Sequence, residues 1–174
     1  MISTKEDLKN VIELEKKGYG RNSLIRRYLR ELRICEYYKN RGGITRLLFK
    51  LHNFYRNRLG LRLGFEIPLN VFGKGLHIFH TGNIIINGTS FVGEYCNIIG
   101  STCLGSKNGG NGPTLGDHCE LGMNSVVIGN VQIGNNVYIG AGAVVTKSFE
   151  QNGVSLAGVP AKIVASRKDS KKAD

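Results

Sequence analysis

Aliphatic residues recur at every sixth position through the second half of the chain. Counting from Leu115 gives Leu121, Val127, Ile133, Ile139 and Val145, and the same phase holds upstream at Ile86, Val92, Ile98 and Leu104. Small or compact residues follow four positions later: Ser90, Cys96, Thr102, Cys119, Ser125, Val131, Val137 and Ala143, with Phe149 closing the series. Gly116, Gly122, Gly134 and Gly140 each follow an aliphatic directly. A six-residue period fits neither a helix nor simple strand alternation. It fits a coil of short strands and tight corners, in which each unit turns one aliphatic and one small residue inward. Stacked units hydrogen-bond as parallel strands around a continuous column. Asparagines such as Asn130, Asn135 and Asn136 suit the corners. A column of this kind is open at both ends, so it needs caps. Helices at one end and the closing "GVPAKIV" at the other would supply them.

The rhythm is disturbed twice. Leu104 to Leu115 spans eleven residues where two units would span twelve, and the interval holds "GSKNGGNGPT", residues 105–114. This is either a solvated loop or a loop whose backbone N–H groups approach a ligand. It lacks GxxxxGK[ST] and is not a P-loop. Counting back from Ile86 puts His80 on an aliphatic position, so the first coil must slip phase or be irregular.

Residues 1–63 follow helical periods. Ser3 with Glu6 offers an N-cap, Leu8, Val11 and Ile12 share a face, and Gly18 is a plausible stop. A second helix can start after Asn22 and carry Leu24, Ile25, Tyr28, Leu29 and Leu32. Ile44, Leu47, Leu48, Leu51 and Tyr55 form a third stripe, with Arg46, Lys50, Arg56 and Arg58 on other faces. That basic stretch can make a peripheral membrane contact. The more ordinary expectation is that the stripe packs on its own domain. The expected division is a basic helical segment over 1–63, a β domain over 64–164 and a basic disordered tail over 165–174.

The net charge of +11 is uneven: residues 1–63 hold 16 Lys/Arg against 6 Asp/Glu, and residues 64–160 hold 3 against 5. No zinc-finger, RNP or helix-turn-helix spacing accompanies it, so no nucleic-acid partner is expected. A basic surface facing phosphates, an acidic glycan or a membrane is the alternative. No apolar run reaches a membrane span, and "MISTKEDLKN" lacks the core of a signal peptide, so a cytoplasmic protein is expected. Cys35, Cys96, Cys103 and Cys119 form no CxxC pair and read as small core thiols.

"HTGNIIINGTSFVGEYCNI", "TCLGS", "LGDHCELGMNSVVIGNVQIGNNVYIGAGAVV" and "LAGVPAKIV" resemble the hexapeptide-repeat acyltransferases, in their serine acetyltransferase-like branch. The short helical start and "LGFEIPLNVFGKGLHIFH" are similar to bacterial polysaccharide O-acetyltransferases of that branch. The resemblance covers residues 65–164. It implies a mainly β fold, a left-handed parallel β-helix after a short α-helical segment. It also implies an acetyl-CoA-dependent O-acetyltransferase that works as a homotrimer, with the cleft between subunits.

Acyl transfer to a hydroxyl needs a base, oxyanion donors and a groove for the thioester. The family's catalytic histidine stands just before the aliphatic stretch, and His80 in "FHTGNIII" occupies that place. By the same resemblance Gly105, Ser106, Gly122, Met123, Ala141 and Gly142 would line the CoA groove, with Thr146 and Lys162 beyond them. His77, Phe79 and Asn111 are candidates for the acceptor side. His118 reads as a structural corner residue and His52 as part of the helices. No metal is expected, because His118 lacks the partner histidines of a metal-dependent relative of this fold.

Two departures bear on the acceptor. Phe79 stands where the serine-specific branch has an acidic residue, and Asn111 and Gly112 stand where it has a basic pair. They favour a sugar hydroxyl in capsular or exopolysaccharide biosynthesis over serine. Serine O-acetylation and a non-catalytic β-helix scaffold are the alternatives.

Overall fold

The computed structural model describes residues 2–20, 23–41 and 46–167. Asn22, Ile44 and the expected tail from residue 168 onward lie outside the described residues. Three helices come first: α1 (Lys5–Glu15), α2 (Leu24–Arg41) and α3 (Arg46–Leu63). Short strands follow: β1 (Phe65–Glu66), β2 (His77–Ile78), β3 (Ile84–Ile86), β4 (Phe91–Val92), β5 (Asn97–Ile98), β6 (Cys103–Gly105) and β7 (Thr114–Leu115). The series continues through β8 (Glu120–Leu121), β9 (Val126–Ile128), β10 (Gln132–Ile133), β11 (Tyr138–Ile139), β12 (Val144–Val145), β13 (Val154–Ala157) and β14 (Lys162–Ser166).

The strands stack into three faces of a coil. The first face is β1-β3-β6-β9-β12, the second β4-β7-β10, and the third β2-β5-β8-β11-β13. All of these pair in parallel, while β14 closes the last coil by folding back antiparallel on β13. This is the parallel β-helix expected from the six-residue period. The aliphatic positions from Ile86 to Val145 are all buried, and so are the small ones from Ser90 to Ala143, Phe149 being only partly covered.

Strand register explains both breaks in rhythm. A regular coil takes 18 residues, as from Val126 to Val144 and from Leu115 to Ile133. Val92 to Leu115 takes 23. Leu104 and Leu115 therefore sit on adjacent faces. The interval between them is one unit enlarged by five residues, rather than two units short of one. Near His80 the slip is smaller. Ile78 pairs with Ile98 and Ile86 with Leu104, so eight residues do the work of six. The two extra residues push the His80 corner outward and take it off the aliphatic grid.

The corners are built by more than glycine. Between the second and third faces, Gly75, Tyr95, His118, Asn136 and Gly153 all have positive φ, one per coil. Beside them the Glu94 N–H donates to Asp117 Oδ1 (2.7 Å), the Asp117 N–H to Asn135 Oδ1 (2.8 Å) and the Asn135 N–H to Asn152 Oδ1 (2.7 Å). Asn135 thus serves through its side chain, as a rung in this ladder. His118 stacks on Tyr95 at 5.0 Å, in the structural corner role expected of it.

The helices cap the first coil. Ile25, Tyr28, Leu29 and Leu32 join the same apolar cluster as Leu76, Ile78 and the column down to Leu156. The α1 cap falls one residue later than expected. Thr4 is the N-cap, its hydroxyl accepting from the Asp7 N–H while Asp7 accepts from the Thr4 N–H. The third stripe departs further from expectation, because Leu47, Leu48, Leu51 and Tyr55 face solvent. Instead α3 lies on its neighbours through His52, Leu59, Gly60 and Leu63. An added Cβ at Gly60 would stand 2.7 Å from the Phe65 carbonyl oxygen, so only glycine lets the helix approach this closely.

A buried guanidinium joins cap to coil. Arg33 donates to Glu15 (2.7 and 3.0 Å), to Glu36 (2.8 Å) and to the carbonyls of Phe72 (2.9 Å) and Gly73 (2.6 Å). Glu15 also accepts the Gly75 and Leu76 N–H groups, and Glu36 accepts that of Asn70. Burial alone would lower the Arg33 pKa, but the two carboxylates outweigh it and hold the pKa above its usual value. Among the described residues, no helix is long and apolar enough to cross a membrane. Arg33→Met leaves two buried carboxylates without their cation and should cost about 3–5 kcal/mol in urea unfolding. An unchanged midpoint would contradict this role for Arg33.

Candidate active site

His80 stands at the edge where the third face passes into the first. The Phe79 N–H donates to the Ile98 carbonyl (2.9 Å) and the His80 N–H to the Ile99 carbonyl (3.1 Å), which seats this corner on the next coil. The imidazole is exposed and, among the described residues, has no hydrogen-bonding or ionic partner. It is therefore free to meet a substrate hydroxyl.

The same edge continues below it. A Cβ built on Gly100 would lie 3.3 Å from His80 Cβ and 3.4 Å from Met123 Sδ, so His80 and Met123 flank this glycine. One coil further, the Gly142 N–H donates to the Met123 carbonyl (2.8 Å). Ala141 and Gly142 are exposed, and a Cβ at Gly142 would meet no heavy atom within 4 Å. The structure thus lines up His80, Met123, Ala141 and Gly142 along one open edge. Gly122 belongs to the wall behind them. It is buried, its N–H is committed to the Ile139 carbonyl (2.7 Å), and a Cβ there would strike the Ala141 nitrogen.

The other candidates lie elsewhere. Gly105, Ser106 and Asn111 occupy the next edge, between the first and second faces, in the segment that carries the five extra residues. Ser106 Oγ accepts from Asn87 Nδ2 (3.2 Å), and the Gly112 N–H donates to Thr89 Oγ1 (2.7 Å), which ties the enlarged loop to the coil above. Thr146 follows β12 on this second edge. Lys162 begins β14 at the far end of the column and is exposed. Within one chain, the width of the first face separates the His80 edge from the Ser106 loop. The outward side chains of that face are Glu66 on its first strand, then Ile85, Cys103, Val126, Ile128 and Val144.

His77 and Phe79 project on the same side of β2. The His77 ring stacks on Tyr19 (4.5 Å, 19°) and meets Phe79 edge-on (4.5 Å, 70°). Burial lowers the His77 pKa, which suits a neutral packing residue. Phe79 stays 47% exposed beside His80, offering a ring face and no charge. Tyr19 has no counterpart in the sequence reading, because it lies outside the repeat. Its hydroxyl accepts from the Ile78 N–H (2.6 Å) and donates to the Ile78 carbonyl (2.7 Å). It thereby satisfies the open edge of β2 two residues before His80. The thiols behave as core residues: burial pushes Cys35 up to about 12 and Cys119 up to about 11.

A cavity of about 700 Å³ lies away from His80, between α1, α2 and the second face. Its charged groups have partners: Arg33 pairs with Glu36, Lys74 with Glu94, and Asp7 accepts from the Thr4 N–H. These charged groups already have partners, whereas His80 has none among the described residues, so the His80 edge is the better site for chemistry.

Residues 112–147 match the family model "Bacterial transferase hexapeptide (six repeats)". A serine acetyltransferase of Synechococcus elongatus is 36% identical over 108 residues, which is 60% of this chain and 44% of that protein. The chain spans about half the length of the curated relatives it matches. The crystal structure of Neisseria gonorrhoeae serine acetyltransferase superposes with a TM-score of 0.76 at 25% identity, covering 96% of this chain and 70% of that one. The Brucella abortus enzyme in complex with coenzyme A gives 0.73 at 20% identity, covering 92% and 67%. These relatives are named for serine, not for the polysaccharide acceptor expected from the sequence. By repeat, by fold and by sequence, the chain resembles the serine acetyltransferase-like branch of the hexapeptide-repeat acyltransferases, as a left-handed parallel β-helix beneath a helical cap.

Proposed function

We propose that the chain is a cytoplasmic acetyl-CoA-dependent O-acetyltransferase with His80 as general base. The observation that carries this reading is an exposed, unpartnered imidazole at the head of an open edge lined by Met123, Ala141 and Gly142. An imidazole nitrogen of His80 takes the acceptor hydroxyl proton as the oxygen attacks the thioester carbonyl. The tetrahedral intermediate expels the CoA thiolate, and the imidazolium returns the proton to sulfur. The products are an acetyl ester and free CoA. Histidine suits both steps because its ordinary pKa lies near neutrality. His80→Ala should lower turnover by roughly 10²–10⁴ with folding intact, the usual range for a lost acid–base group. Free-thiol release from acetyl-CoA measures this, and near-native turnover would remove His80 from the role.

Serine is the acceptor favoured by the names of the relatives. A sugar hydroxyl is the second reading, and three observations support it. Phe79 beside His80 offers an apolar ring, Asn111 is neutral, and no carboxylate pairs with His80 among the described residues. Burying a zwitterion without charged partners is unfavourable. In competition at equal concentrations, O-acetylserine as the main product would establish the first reading. Acetylated saccharide with little O-acetylserine would establish the second.

The site is completed in a homotrimer, as the resemblance implies. Below Glu66, the stretch of the first face between the His80 edge and the Ser106 loop is apolar. A neighbouring copy seated on it would bring one subunit's base to the other's loop. An active preparation should show a trimeric mass by light scattering, and an active monomer would contradict this assembly.

A further inference from the structure

The outward side of α3 has a composition that neither its own domain nor acetyl transfer uses. Leu47, Leu51, Phe54 and Leu61 stand at i, i+4, i+7 and i+14, on one stripe of the helix. They are 76%, 51%, 56% and 87% exposed. Arg58 occupies i+11 in the same stripe, its guanidinium 5.8 Å from the centre of the Phe54 ring. Leu48 and Tyr55 extend the apolar surface on one side. Arg46, Lys50 and Arg62 border it, and α3 contains no Asp or Glu. Among the described residues none of these four cations is ion-paired. The opposite side of the helix already has its partners. His52 bonds Glu31 (2.6 Å), Gly60 lies against Phe65, and Leu63 is buried. The exposed stripe therefore cannot fold back on its own coil.

We propose that this face of α3 docks on an anionic membrane surface, with the helix lying in the headgroup plane. The charge pattern selects this occupant. A second copy of the same face would bring cation against cation with no carboxylate between them. A nucleic acid would pair with the cations but leave four large apolar side chains in water. An anionic bilayer takes both, because leucines and phenylalanine enter the acyl boundary while Arg and Lys extend to the headgroups. The apolar stripe with basic borders on a helix of 18 residues matches that environment. The proposal is independent of acetyl transfer and of the acceptor.

The test is co-sedimentation of the full chain with phosphatidylcholine vesicles, with and without phosphatidylglycerol, at low and high salt. The chain should sediment with the anionic vesicles far more than with the neutral ones, and less at high salt. Lys50→Gln with Arg58→Gln and Arg62→Gln should weaken this binding by roughly a hundredfold, from the usual contribution of each cation near a charged bilayer. Leu51→Ser with Phe54→Ser should abolish sedimentation while circular dichroism and thermal melting stay as in the parent chain, since both side chains are exposed. Equal binding to both vesicle types, or binding that neither variant changes, would overturn the proposal. It would also be overturned if the apolar variant lowered the oligomeric mass without vesicles, since the face would then join two copies. Binding to a polyglutamate matrix as tight as to anionic vesicles would assign the face to an acidic protein instead.

Discussion

The helical cap and the coil meet through one buried cation. Arg33 holds Glu15 of α1 and Glu36 of its own helix, and its remaining donors reach the chain at Phe72 and Gly73. The carboxylates then bind the N–H groups of residues 70, 75 and 76, so the first coil is held by both partners of the ion pairs. With α1 fixed there, the turn after it brings Tyr19 onto the backbone of Ile78. That contact covers the open edge of β2, and the Tyr19 ring stacks on His77, which meets Phe79 edge-on. The His80 corner begins at the next residue. The position of the candidate base thus depends on a guanidinium outside the repeat.

The column was legible from the sequence because its physics is periodic. Each aliphatic at a six-residue interval and each compact residue four places later must point inward if the coil is to close, and the structure buries them. The position of His80 was legible through resemblance, and its phase slip through counting. Other features left no periodic trace. The Arg33 network joins residues as far as 61 positions apart, and charged residues in a basic helix look the same whether solvated or buried. The exposure of Leu47 and Leu51 depends on which face of α3 meets α2, which is decided by Gly60 and His52. The ladder through Asp117, Asn135 and Asn152 reads in sequence only as ordinary turn residues. The eleven-residue interval could be counted but not assigned to faces until strand register showed where the extra residues lie.

The two edges of the first face carry different kinds of groups. One has an ionisable ring above a run of small residues, and the other a glycine-rich loop tied down by Asn87 and Thr89. Between them, below Glu66, the surface is aliphatic but for Cys103. Such a face separates candidate catalytic and binding groups within a chain and can join them between chains. The third face has no such character, since Asn97, Glu120, Tyr138 and Ser155 point outward from it.

The five-residue enlargement between Leu104 and Leu115 shows how such a column absorbs change. The strands on either side keep their partners: Leu104 still meets Val127, and Leu115 still meets Ile133. Nothing in the stacking registers how long the excursion is, because the coils are held by neighbours above and below rather than by the length of the corner. A lineage can therefore lengthen or rewrite this corner without renegotiating the core. The length of this corner and the packing of the core are then free to evolve on separate clocks.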